Sequence, residues 1–288
     1  MSATSLTWGG RSIPGPGGLP AVAVSLTGPS LAQARPQARS AVDAGADVLE
    51  LRVDLLEESG ALAAPDPLDV AAAAAQVLEC LRGLGEAITA DGADAAAPLL
   101  LTCRTAAEGG RARLDDASYG ALLRSVLDGL ADWAPERRPV AIDVEVQRGC
   151  LPGVAEQAHG LGIDVVASFH DFEATPADEA LEEVLARMAR EGADLAKIAV
   201  WPISADDVAR LLGVCARATA GTGEGAGPGV PVAAMSMGAL GAVSRVAPAF
   251  GSALTFAVVP DEQGQARASA PGQLPLQDVR RCLELLRV

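Results

Sequence analysis

The chain has 288 residues, half of them apolar but only 3 % aromatic, so it can bury a large core and must build it from Ala, Val, Leu and Ile. A formal net charge of -15 argues against nucleic acid or an anionic membrane as a partner, because both need a basic face. Five scattered cysteines (Cys80, Cys103, Cys150, Cys215, Cys282) without a C-x-x-C spacing, no signal-like N-terminus and no apolar run near the roughly 20 residues of a membrane span together predict a soluble cytoplasmic protein with reduced thiols.

Residues 1–19 carry Leu6-Thr7-Trp8, a Gly9-Gly10 turn and Arg11-Ser12-Ile13, the signature of a hairpin able to cap one end of a larger fold. From Pro20 to the end, 20–288, β-rich runs alternate with Ala-rich helical stretches in what reads as one domain. The strand candidates are 21–26, 47–53, 99–103, 140–146, 164–168, 194–199, 230–236 and 253–258. Helices are expected near 29–44, 65–84, 115–132, 152–161, 177–191, 204–220, 239–249 and 275–287. Eight strand-helix pairs in a chain of this length predict an α/β fold of the (β/α)8 TIM-barrel type. A doubly wound open sheet is the alternative, but no G-x-G-x-x-G follows the first strand. The low-complexity connectors 91–98 and 221–229 read as surface loops on the stability face of such a barrel, without a functional part.

Among 22 basic residues, 21 are arginine; the single lysine is Lys197, in the apolar run Ala193-Asp194-Leu195-Ala196-Lys197-Ile198-Ala199-Val200. Burial there disfavours the ammonium and favours the free amine, a nucleophile toward carbonyls. A lysine that snorkels to water or pairs with a carboxylate is the structural alternative. The ends of the strands carry Ser25, then Glu50, Arg52 and Asp54, then Arg104, Asp143 with Glu145, His170 with Asp171, Lys197 and Ser236. A barrel gathers all of these on its catalytic face. His170 is the natural acid and base near neutral pH, whereas His159, before Gly160, reads as a helix C-terminal residue. Arg104 and Glu108 share the loop after the third strand, where the glutamate can orient an imidazole, and Arg245 follows the seventh strand as a carboxylate clamp.

These stretches resemble the type I 3-dehydroquinate dehydratases. The matching segments are Leu49-Glu50-Leu51-Arg52-Val53-Asp54, Thr102 through Gly110, Ile142-Asp143-Val144-Glu145, Ser168-Phe169-His170-Asp171-Phe172, Ala196-Lys197-Ile198-Ala199, Met235-Ser236-Met237 through Ser244-Arg245, Phe250-Gly251-Ser252-Ala253 and Ala268 through Gln273, in family order over nearly the whole domain. The resemblance implies that Lys197 forms an imine with the ketone of 3-dehydroquinate, His170 moves the α-proton and Glu108 orients His170. It further implies that Glu50, Arg52 and Arg104 hold the substrate hydroxyls, Arg245 its carboxylate, and Ser269 and Gln273 close over it, with Ser25 and Met237 as lesser contacts. Such chemistry needs no metal or organic cofactor, serves aromatic biosynthesis or quinate catabolism, and in this family is usual in homodimers. The segment 260–267 lengthens the chain beside the expected lid. Two readings compete: a class I aldolase-like lyase using the same lysine chemistry, and a non-catalytic carboxylate-binding barrel.

Overall fold

The computed structural model describes residues 5–63, 68–89, 97–220, 228–260 and 267–287. The N-terminal strands β1 (Leu6–Trp8) and β2 (Arg11–Ile13) pair antiparallel about Gly9 and Gly10, whose φ values of 53° and 77° are those a two-residue hairpin turn demands. Strands and helices then alternate as β3 (Ala21–Leu26), α1 (Leu31–Asp43), β4 (Val48–Arg52), α2 (Val70–Thr89), β5 (Leu99–Thr102), α3 (Asp116–Leu130), β6 (Ala141–Glu145) and α4 (Leu151–Gly160). They continue as β7 (Asp164–Asp171), α5 (Asp178–Arg190), β8 (Leu195–Val200), α6 (Ala205–Thr219), β9 (Val232–Ser236), α7 (Gly238–Gly241), β10 (Leu254–Val258), β11 (Leu274–Pro275) and α8 (Leu276–Leu285).

Strands β3 to β10 run parallel, and β11 adds two residues to the outer edge of β10. The circuit closes where the Ala253 N–H donates to the Val232 carbonyl at 2.7 Å. This is a (β/α)8 barrel with a hairpin at one end, as the strand-helix alternation predicts.

Period-two alternation sorts the strand side chains into two apolar clusters. On β8, Ala196, Ile198 and Val200 face the helices, while Leu195 and Ala199 face the barrel axis with Lys197 between them. Inward residues change character from bottom to top: Ala21, Ala23, Ser25 on β3; Val48, Glu50, Arg52 on β4; Ala141, Asp143, Glu145 on β6; Val166, Ser168, His170 on β7. The hairpin seals the apolar bottom with Trp8 and Ile13, 1 % and 0 % exposed, and Trp8 Nε1 donates to Asp164 Oδ2 at 2.7 Å. Apart from Asp164 beneath Trp8, the polar inward residues of these strands lie toward the opposite mouth.

Some element bounds differ from the sequence expectation. β7 runs past Ser168 to Asp171, because Phe169, His170 and Asp171 keep pairing with Ile198, Ala199 and Val200 of β8. α2 starts at Val70 rather than near 65, where the Asp69 carboxylate accepts from the Ala72 N–H at 3.0 Å as a cap. No continuous helix spans 239–249. After α7 come 3-10 turns at Ala242–Val246 and Pro248–Phe250, since Ser244 Oγ bonds the Ser236 N–H and the Gly241 carbonyl and Pro248 supplies no N–H. The connectors 91–98, 221–229 and 260–267 fall largely outside the described residues. No helix among the described residues is long and apolar enough to cross a membrane.

Candidate active site

Lys197, 5 % exposed, points up the barrel axis from β8. Its Nζ lies 3.3 Å from Asp143 Oδ2 on β6, 3.8 Å from Glu50 Oε1 on β4 and 4.7 Å from the ring centroid of Phe256 on β10. Of the alternatives that the sequence leaves open for this side chain, a lysine beside carboxylates is the one this geometry describes. The flanking Ala196 and Ile198 face the helices, and the groups that meet Nζ come from strands far away in the chain.

Asp143 is fully buried. Desolvation alone would raise its carboxyl, but Arg104, Lys197 and the Ser168 hydroxyl outweigh it and hold the group below the usual carboxylate range. Arg104 gives Nη2 to Asp143 Oδ1 at 2.8 Å, and Nη1 to Ser168 Oγ at 2.8 Å and Glu145 Oε1 at 3.1 Å. Its terminal nitrogens are committed to protein groups, although the side chain still lines the pocket. Arg52 is held flat by Asp54 through two bonds of 2.8 Å. Burial lowers the Arg52 guanidinium, and Asp54 more than restores it.

His170 Nδ1 and its backbone N–H both meet Glu108 Oε2, at 2.9 and 3.1 Å. Glu108 ends a single 3-10 turn, Ala106–Glu108, followed by Gly109 at φ +80°. A Cβ on Gly109 would stand 2.3 Å from the Phe172 ring, so only glycine fits beneath the aromatic that stacks on His170. Burial, then the cations of Arg104, Lys197 and Arg52, hold the imidazole well below its ordinary range. Burial, opposed by Arg104 and reinforced by Glu145 and Asp143, raises Glu108 to about 8. Both effects disfavour charge on the pair and favour the neutral imidazole, and the His170 side chain lines the pocket.

A pocket opens among these side chains at the barrel mouth. Glu50, Arg52, Arg104, Glu108, His170, Lys197, Arg245, Ser269 and Gln273 all line it. Arg245 is 2 % exposed; Nη2 bonds the Pro271 carbonyl at 3.1 Å and Nε has no hydrogen-bond partner among the described residues. Among the described residues no carboxylate offsets its burial, which brings the guanidinium down to about 10. The segment carrying Ser269 and Gln273 lies across the mouth: Ser269 Oγ donates to Ser25 Oγ at 2.8 Å, and Gln273 Nε2 to Ser269 Oγ at 3.0 Å.

Ser25 stands behind this wall, bonded to Glu50 Oε2. Met237 is fully buried off the lining, where Met235 takes the place on the pocket wall. Phe256, Met235 and Phe172 join the site without a role assigned from sequence, while Asp143, expected among the strand-end charges on this face, stands beside Lys197 Nζ. For Asp143 the signal was legible, since Asp143-x-Glu145 puts two carboxylates on one inward face, but which cation each meets depends on the neighbouring strands. His159, at the end of α4, pairs with Asp194 at 2.8 Å far from this cluster.

The chain matches type I 3-dehydroquinase over residues 22–288. It is 36 % identical to the 3-dehydroquinate dehydratase of Klebsiella pneumoniae over 269 residues, 92 % of each chain, and 35 % identical to that of Bacillus licheniformis over 273 residues, 93 % of each. The solved 3-dehydroquinate dehydratase of Geobacillus kaustophilus superposes with a TM-score of 0.80 at 28 % identity, covering 99 % of this chain and 97 % of that one. The type I enzyme of Clostridium difficile, solved with covalently modified comenic acid, gives the same TM-score and identity over 99 % of both chains. With the barrel, the lysine and the buried imidazole already in place, these matches over nearly the full length show that the chain belongs to the type I 3-dehydroquinase family.

Proposed function

We propose that this chain dehydrates 3-dehydroquinate to 3-dehydroshikimate through an imine on Lys197, with His170 as acid and base. The observation that carries the reading is the sharing of one pocket by the sole lysine, an imidazole held by Glu108 and a buried arginine that has no carboxylate partner among the described residues. Lys197 Nζ, once deprotonated, attacks the ketone carbon, and loss of water leaves a cationic iminium near Asp143 and Glu50. His170 Nε2 takes the α-proton while its Nδ1 side is fixed by Glu108, and the C–H electron pair flows into the iminium to give an enamine. The enamine expels the β-hydroxyl, which leaves as water with the proton carried by His170. A second water then hydrolyses the product imine and frees Lys197.

Arg245 takes the substrate carboxylate in this reading, because a guanidinium with an unpartnered Nε gains most from an anion. Glu50 and Arg52 face the ring hydroxyls, with Arg104 ordering the carboxylates behind them and Ser25 supporting Glu50. Ser269 and Gln273 close the mouth, with Met237 buttressing the wall. Residues 1–19 act as a hairpin cap on a single catalytic domain of 20–288. The working species is a homodimer in the cytoplasm, checked by sedimentation and by cell fractionation.

The test is borohydride reduction in the presence of 3-dehydroquinate, followed by intact mass and peptide mapping. A substrate- or product-sized adduct on Lys197 is expected. Dehydration without any adduct would mean a different mechanism, and neither turnover nor adduct would favour the carboxylate-binding barrel.

A further inference from the structure

We propose that Glu145 is a positioning residue for the acid–base pair, setting the place of Glu108 and, through it, of His170. The inference rests on the role proposed above for His170. Glu145 closes β6 fully buried, yet it does not line the pocket. Its carboxylate instead gathers the start of the loop that carries Glu108. Oε1 accepts from the Thr105 N–H at 2.7 Å and Arg104 Nη1 at 3.1 Å, Oε2 accepts from Thr105 Oγ1 at 2.6 Å, and Arg148 Nε stands 3.3 Å from Oε2.

Thr105 is the residue from which the Glu108 turn springs. Its carbonyl accepts the Glu108 N–H at 3.1 Å and the Gly110 N–H at 2.8 Å. Arg104, held by the same carboxylate, places Nη1 3.6 Å from Glu108 Oε2. Glu145 therefore reaches Glu108 by two routes, the backbone turn and the shared guanidinium. From the opposite side Asp54 accepts the backbone N–H groups of Arg104 and Arg111 at 3.2 and 3.1 Å, so the loop hangs between two buried carboxylates. β6 itself is tied to α3 by the Glu145 N–H to the Tyr119 hydroxyl at 3.1 Å.

Charge acts beside geometry. The titratable and charged groups that face this carboxylate are Arg104, Arg148, Asp143, Glu108, Tyr119, Cys103 and Cys150, and its negative charge is among the causes that raise the Glu108 carboxyl. Glu145→Gln removes that charge and turns an NH2 toward one set of donors, whichever way the amide sits. Loss of a buried anion lowers the proton affinity of the Glu108–His170 pair as a whole. Thr105→Val removes one bond and keeps the charge, so it separates position from electrostatics.

The experiment measures kcat, KM and the pH profile of kcat/KM for the full-length wild type, Glu145→Gln, Thr105→Val and His170→Ala, with the folded fraction from thermal denaturation. Glu145→Gln is expected to lose kcat by about 10- to 100-fold, the range for partners that orient a reactive group, with KM nearly unchanged and the acidic limb moved to lower pH. Thr105→Val is expected to lose kcat by a smaller factor with the limb unmoved. A folded Glu145→Gln enzyme with wild-type kcat or an unmoved limb overturns the inference; if that variant does not fold, wild-type kcat in Thr105→Val does so. Activity retained by His170→Ala would instead overturn the reading on which it rests.

Discussion

Replacing Arg245 by methionine should harm catalysis and spare or improve the fold. Burial holds the guanidinium down at about 10, and against the ordinary arginine range, at 1.36 kcal/mol per tenfold, that corresponds to roughly 3 kcal/mol of disfavoured charge. Methionine removes this cost and also the bond to the Pro271 carbonyl, a charged-group hydrogen bond of about 1.5–3 kcal/mol. The net change in stability is then about 0–1.5 kcal/mol in favour of the variant, a rise in Tm of no more than about 6 °C. Binding moves the other way. Loss of a buried charge partner costs about 2–5 kcal/mol, which predicts a fall in kcat/KM of roughly 30- to several-thousandfold, most of it in KM. Differential scanning calorimetry with and without an unreactive cyclic hydroxycarboxylate, alongside steady-state kinetics, reads both sides. Stabilisation of the wild type by the carboxylate should vanish in the variant. A variant that melts more than about 5 °C below wild type while keeping its KM would refute this account, because Arg245 would then be a structural residue.

Lys197→Arg keeps a cation between Asp143 and Glu50 but cannot form an imine, so it should fold, bind substrate and show neither turnover nor a borohydride adduct. His170→Ala should lower kcat by about 10²- to 10⁴-fold. Because the His170 imidazole is held well below its ordinary range, the wild-type acidic limb of kcat/KM should lie below about pH 6.5. The same depression means that the unfolded chain takes up a proton first on acidification, so stability attributable to this residue falls as pH drops through about 6.5; denaturant titrations of wild type and variant across that window check the sign. Trp8→Ala should cost about 3–5 kcal/mol of stability, read from the urea midpoint, while kcat per folded molecule stays at wild type, since the hairpin seals the end away from the pocket. A loss of kcat in a Trp8 variant of native stability would contradict that placement.

The sequence by itself determined the barrel and the identity of its central groups. Strand-helix alternation is a local property, and a single lysine in an apolar run needs no neighbour to be noticed. The segment from Ser168 to Phe172 carries its histidine in order along the chain for the same reason. Bounds failed where local side-chain bonds or continued pairing intervened, as at Ser244 and at the end of β7, because such choices are made between segments. Only the tertiary structure decided the electrostatics. Lys197 looks isolated in sequence and is flanked by Asp143 and Glu50, and Arg104 looks free and is committed to Asp143, Glu145 and Ser168. Among the described residues, Arg245 alone of these cations is left without a carboxylate. Charge pairing across a barrel depends on the stagger of strands 25 to 150 residues apart, and each inward side chain meets whatever its neighbouring strands bring to the same height on the axis.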